Sequence, residues 1–345
     1  MPLAQLAALL RDITCYELMP THGKLVTLDA DLPMKHALSA MAQHNITCLP
    51  VWDSMQQRLV DVFTCSDLVD VVLFTHRALS VAQGAAGTSQ APAAGAAQEQ
   101  IDACQLRDLH GLKRSKAAGF EMASVDDSLY NACVLLHRHG LECLPLGETA
   151  ASTSLLHVLL PEQLLAYIAS SPDLQDSAPE IFGATIEQAV LPRCAEPAAV
   201  RATAPLSDAL LLLAERRLAA VAVLDDAGQL RDVLSRADVR HFAENALTDN
   251  LTTAVGEALL TLPRPAAERL HTCSPADSLA SAVQRLAAAE ATQLVCVAAG
   301  GAIVGLITSS DILTTFLDVP AAPTPTPVLA PAAMPVPERQ EMNIE

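Results

Sequence analysis

Apolar and polar positions along the chain fall into one unit that recurs four times. Each unit opens with apolar residues at i, i+3, i+4 and i+7, the stripe of an amphipathic helix. Such stripes predict helices over 34–43, 129–138, 207–217 and 278–289; Leu279, Val283 and Leu286 mark the last. A short apolar strand follows each: TCLPVWD (47–53), ECLPLGE (142–148), AAVAVLDD (219–226) and TQLVCVAA (292–299). Turn residues come next, such as Asp225, Asp226 and Gly228, or Gly300 and Gly301. A second apolar run then passes through a polar step into another helix: LVDVFTCSDL (59–68), LLHVLLPEQL (155–164), LRDVLSRADV (230–239) and IVGLITSSDI (303–312). Asp67, Asp238 and Asp311 hold the same place in three steps, and Gln163 takes it in the other. The unit therefore reads helix, strand, turn, strand, helix, which predicts an α/β fold. One unit of ~50 residues buries too little apolar surface alone, so units should share cores in pairs.

Two segments break the pattern. Residues 80–100 are rich in Ala, Gly and Gln and predict a flexible linker or surface loop; residues 320–345 are rich in Pro, Ala and Thr and predict a disordered tail. The expected organisation is a lead-in and first repeat (1–79), the linker (80–100), a second repeat (101–172), a connector and third repeat (173–248), a fourth repeat (249–319) and the tail.

Half of the 345 residues are hydrophobic but only 3% are aromatic, so Leu, Val and Ala must build the interior. Lys and Arg number 21 against 39 Asp and Glu, a formal net charge of −18. That balance opposes a nucleic-acid or anionic-membrane surface. No apolar run reaches membrane-spanning length, and Arg11 and Asp12 interrupt the N-terminal apolar residues that a secretory signal would need. The nine cysteines include no Cys-x-x-Cys pair, so neither a disulfide framework nor a zinc ribbon is indicated. Buried thiols in a reducing compartment, cytoplasmic or nuclear, are expected. No nucleophile elbow, P-loop or zincin motif supports catalysis.

The unit and its spacing resemble the cystathionine-β-synthase (CBS) domain, which works in tandem pairs called Bateman modules. Four copies resemble the γ regulatory subunit family of the AMP-activated, sucrose-non-fermenting-type protein kinases. The lead-in CYELMPTHGKLVTLDADL (15–32), LPVWDS (49–54) and the connectors PEIFGATIEQAV (179–190) and NLTTAVGEALL (250–260) are similar to that family's. The resemblance implies two Bateman modules packed as a disc. It also implies a non-catalytic subunit held by a kinase α subunit and a β scaffold, with AMP, ADP or ATP as regulatory ligands in clefts between repeats.

In that family a Ser/Thr-x-x-Asp step supplies a carboxylate to the two ribose hydroxyls, a pairing suited to a bidentate acceptor. The step is kept as Thr64 with Asp67, Ser235 with Asp238, and Thr308 with Asp311; Leu160 and Gln163 replace it in repeat 2. An Asp there equally suits a helix N-terminus, where the macrodipole favours it. The family's phosphate-contacting basic residues are replaced at Thr47, Glu142, Cys143, Thr292 and Gln293, and by Pro161 and Glu162; Ala204 stands where the family has a nucleotide-holding Thr. Losing two or three charge-assisted bonds to one phosphate would cost roughly 3–9 kcal/mol, and Glu142 would add repulsion. His137, Arg138, His139, Arg217, Arg236 and the cluster Lys113, Arg114 and Lys116 remain as basic residues that could reach a phosphate from another direction, although they are expected mainly as solvated or helix-terminal charges. Three outcomes stay open: a nucleotide sensor, a γ-like scaffold that has lost sensing, or a stand-alone CBS protein for another adenosyl ligand.

Overall fold

A computed structural model describes residues 2–21, 25–86, 96–111, 121–194, 196–244, 251–289 and 291–317. Four three-stranded sheets recur along it. They are β1 (Leu28–Asp29), β2 (Cys48–Asp53) and β3 (Arg58–Thr64); β4 (Ala123–Ser124), β5 (Leu144–Gly147) and β6 (Leu155–Leu159); β7 (Ala199–Arg201), β8 (Ala220–Leu224) and β9 (Leu230–Ser235); and β10 (Thr272–Cys273), β11 (Gln293–Val297) and β12 (Ile303–Thr308). In each sheet the first strand runs parallel to the second, and the second pairs antiparallel with the third. A register shift near the hairpin turn also recurs, at Val51/Trp52, Leu146/Gly147, Val223/Leu224 and Cys296/Val297. Such an irregularity strengthens local twist, and its repetition gives all four sheets the same local geometry. The two- and three-residue leading strands have no counterpart in the sequence reading, since so few residues carry no periodicity.

The amphipathic helices lie at Met34–His44, Leu129–His139, Leu206–Glu215 and Leu279–Ala289, within two residues of expectation. Each buries its apolar stripe: Met34, Ala37, Leu38 and Met41 in the first, Leu279, Ala282, Val283 and Leu286 in the last. Asn45 and Gly140 end the first two helices in the left-handed region, at φ 51° and 58°, which closes the last turn and lets the chain reverse into a strand.

The linker expectation is corrected at both ends. Helix Cys65–Ala86 runs through 80–86, and helix Ala96–Ala103 opens before 100. Ala and Gln are good helix formers, and that preference outweighs the low-complexity appearance. Residues 87–95, the 320–345 tail and Lys113, Arg114 and Lys116 lie outside the described residues.

The four repeats close a ring through two kinds of contact. Sheets meet at Cys48, Val62 and Cys143 between repeats 1 and 2, and at Ala220, Val233 and Val295 between repeats 3 and 4. Helical layers form two larger cores. One joins repeats 1 and 3, with Phe63, Leu68, Leu210 and Phe242; the other joins repeats 2 and 4, with Leu165, Ile168, Val283 and Phe316.

Within each sheet-paired module the entering segments are exchanged. Helix Pro2–Asp12 buries Leu6 and Leu10 in the core of repeats 2 and 4, and Cys15 N–H donates to the Asp127 carbonyl at 2.9 Å. Reciprocally, Ile101 and Leu106 join the core of repeats 1 and 3, and Met34 N–H donates to the Cys104 carbonyl at 2.7 Å. Repeats 3 and 4 do the same: Ile186 N–H reaches Asp277 at 2.9 Å, and Val255 N–H reaches Ala204 at 2.8 Å. Boundaries drawn in chain order, such as 1–79 and 101–172, therefore cross the packing units.

Candidate functional site

All four repeats turn their strand-to-helix steps toward the centre of the ring, where two cavities lie. The first, of ≈ 600 Å³, contains the steps of repeats 1 and 4, with Thr64, Asp67, Thr308 and Asp311 in its wall. The second, of ≈ 890 Å³, contains Ser235, Asp238 and Gln163. Thr47, Glu162, Ser235, Ala237, Thr292 and Gln293 line both, so the cavities meet at a shared waist. Ala204 sits apart, in a shallow groove with Val200 and Leu212.

Each aspartate folds back onto its own step. Asp238 Oδ2 accepts from the Ser235 backbone N–H and hydroxyl, both at 2.7 Å. Asp311 Oδ2 accepts from Thr308 N–H at 2.8 Å and its hydroxyl at 2.6 Å, while Asp311 N–H donates to Thr308 Oγ1 at 3.2 Å. Asp67 makes the same pair to Thr64 at 2.8 and 3.1 Å. In repeat 2 only the backbone half survives: Leu160 N–H donates to Gln163 Oε1 at 3.0 Å. These are capping boxes in which the carboxylate reaches back from the third helical position. The capping role is thus realised, and it uses one carboxylate oxygen, Oδ2.

Burial pushes the Asp238 and Asp311 carboxyls above the ordinary aspartate value. The bonds from Ser235 and Thr308 oppose the rise, and at Asp238 so do Arg269 and His241. Burial also raises Glu162 at the waist, and nearby Glu142 adds to it. Glu162 thus places an acidic group at the waist, where it disfavours added negative charge.

The basic residues divide unevenly. In the first cavity Arg236 Nη1 donates to Glu142 Oε1 at 2.8 Å and to Ser66 Oγ at 2.5 Å, and its Nη2 donates to the Leu213 carbonyl at 3.2 Å. The Ser66 hydroxyl in turn donates to Glu142. Arg236 is thus a helix-terminal charge, as expected, that also reaches into the cavity wall, where it is bridged to Glu142 and Ser66. His137, His139, Arg217 and Arg193 also line this cavity, Arg193 donating to the Thr314 carbonyl at 2.7 Å. In the second, three arginines and four histidines face three carboxylates. Arg240 is buried and holds the Ile46 carbonyl at 3.0 Å and Asn45 Oδ1 at 2.6 Å, tying repeat 3 to the end of the first repeat's helix. Arg269 pairs with buried Asp232 at 2.6 Å.

The CBS domain model matches residues 10–73, 193–245 and 266–318. The chain is 28% identical over 312 residues to human 5'-AMP-activated protein kinase subunit gamma-3, covering 90% of this chain and 60% of that one. It is 25% identical over 318 residues to the kinase's gamma subunit from Dictyostelium discoideum, covering 90% and 52%. This chain carries CBS domains over the matched segments and is similar to the kinase's gamma subunits. It spans less than two thirds of the length of these curated relatives. A solved archaeal structure from Methanocaldococcus jannaschii, described as a homologue of g-AMPK, superposes with a TM-score of 0.64 at 13% identity, over 88% of this chain and all of that one. That likeness establishes the shared fold.

Repeat 2 falls between the matched segments, yet β4–β6 keep the topology and register shift of the other sheets. Its lost step and its Pro161-Glu162 substitution remove the polar signature while sparing the apolar frame. The sequence reading missed Ser66, Arg240, Arg269 and His271 as wall residues, because their positions depend on contacts between repeats. Among the described residues no cluster of His, Cys, Asp or Glu could hold a metal, and no helix is long and apolar enough to cross a membrane. The nine cysteines are free thiols, seven of them buried.

Proposed function

We propose that this CBS-domain chain is a γ-type, non-catalytic regulatory subunit of a heterotrimeric Ser/Thr kinase, with α kinase and β scaffold partners. An adenine nucleotide (AMP, ADP or ATP) binds between its repeats. The observation that carries the reading is the convergence of three Ser/Thr-x-x-Asp steps on a central pair of cavities, in a chain similar to kinase gamma subunits over nine tenths of its length. The second cavity is the one suited to a phosphorylated ligand. Asp238 supplies the acceptor for ribose hydroxyls, and Arg264 and His271 share that wall. Ligand exchange there would bias the packing of repeats 3, 1 and 4 and so change how the kinase is held.

Calorimetric titration of the full chain with AMP tests this reading. Asp238→Asn should weaken AMP at least ~10-fold, the loss of one charge-assisted contact, while Asp67→Asn and Asp311→Asn should change it less. Equal affinities in all three variants would refute the assignment. Failure to co-purify with α and β subunits would refute the heterotrimer.

A further inference from the structure

One residue sets the first cavity apart. Thr47, Glu142, Ala219 and Thr292 occupy the same position before the central strand of their repeats, and an acid stands there only in repeat 2. Its carboxylate lies where two helix-opening steps from other repeats converge. Ser66 lies in the step of repeat 1 and Arg236 in that of repeat 3, and Glu142 Oε1 accepts from both, with Arg236 Nη1 at 2.8 Å. A guanidinium and a hydroxyl converging on one oxygen form a donor set for an oxyanion. Here the chain supplies the oxyanion itself. The Arg236 and Glu142 side chains are 18% and 36% exposed, so the pair is shielded at the cation and reachable at the acid.

We propose that Glu142 is a resident anion that occupies the oxyanion position of the first cavity and excludes phosphate-bearing ligands from it. A phosphate seeking Arg236 would have to displace a carboxylate already covering that charge. It would also approach Glu162, a second carboxylate of the same wall. The cavity keeps Asp67 and Asp311, the acceptors suited to vicinal hydroxyls, and so admits an uncharged nucleoside in preference to its phosphate. This last point rests on the proposed function; the exclusion of phosphate does not. Glu142 is thus a specificity residue that makes the two cavities chemically unequal.

The test uses the full chain with Glu142→Gln, which keeps side-chain shape, and Glu142→Thr, which copies Thr47 and Thr292 from equivalent positions. Inorganic phosphate, AMP and adenosine serve as probes in calorimetry, with Asp238→Asn present to weaken the second cavity. Either Glu142 variant should gain about tenfold or more in phosphate and AMP affinity, with adenosine unchanged. Adding Arg236→Ala should remove the gain. Phosphate affinity unchanged in both folded variants would overturn the proposal, as would a gain that survives Arg236→Ala. If phosphate affinity rises as expected but no adenine compound binds any form, the resident anion stands and the proposed ligand class fails.

Discussion

The two central cavities are built from the same repeated step, yet they differ in what remains available to a ligand. In the first, Arg236 is covered by Glu142 and Ser66, and Glu162 adds a carboxylate. Both walls carry three arginines, but the second has four histidines against two and three carboxylates against seven; there Arg240 is held by Ile46 and Asn45 and Arg269 by Asp232, which leaves Arg264 and the histidines to face a ligand with Asp238. The difference arises from single positions in each repeat, because the backbone frame is the same in all four. A repeat protein can therefore keep one scaffold and assign its clefts separately, by changing the residue before a strand or inside a step.

The largest effect expected from breaking this contrast lies at Arg269. Its partner Asp232 is buried, with a side chain 8% exposed. Arg269→Ala should lower unfolding stability by about 3–5 kcal/mol, because a buried carboxylate is left unpaired. Urea denaturation measures this directly; a loss below ~1 kcal/mol would mean that the pair is not buried in solution.

A smaller effect is expected at the caps. Asp311→Ala removes two acceptor bonds from Thr308, and Asp238→Ala removes two from Ser235. Each should cost about 1–2 kcal/mol in the same denaturation series. A comparable loss at both would show that the step stabilises the two cavities alike, whatever each one binds.

The pH dependence sharpens the same point. Burial raises Asp238, Asp311 and Glu162 above their ordinary values, so the folded chain holds these protons more tightly than the unfolded chain. For these groups folding is favoured most below the ordinary aspartate value of 3.8, and stability is lost as pH rises through the raised values. Denaturation midpoints across that acid window should fall less steeply with rising pH in Asp238→Asn/Asp311→Asn than in the parent chain. An unchanged slope would place both carboxylates in contact with water.

The smallest effect is expected for Arg236→Ala. Glu142 is 36% exposed and water can take over its solvation, so the loss should be about 1 kcal/mol or less. A loss matching that of Arg269→Ala would erase the energetic distinction between the cavities.

Much of this was legible in the chain. The helices, the two long strands of every repeat and the polar steps follow from period and spacing alone. Capping at Asp67, Asp238 and Asp311 was also legible, as one of two roles for that pattern, since the same carboxylate suits a helix start or a ribose. The short leading strands were not, because two or three residues show no alternation. The helices through 80–86 and 96–103 were obscured by composition that looks like linker, although Ala and Gln favour helix. Ser66 carried no local signal of its own, being an ordinary polar residue at a helix start; Arg236 was legible as a basic residue beside its step, but its partner Glu142, 94 positions away, was not.

The sequence by itself determined the unit, its fourfold use and the residue types at each step, because these depend on local periodicity and on contacts within about 50 residues. Tertiary structure decided which repeats share cores, that entering segments are exchanged within each module, and which charges meet. Glu142 and Arg236 are 94 positions apart, and Arg240 and Asn45 are 195. Ring closure brings such pairs together, and burial there sets whether a cation is spent on the protein or left for a ligand.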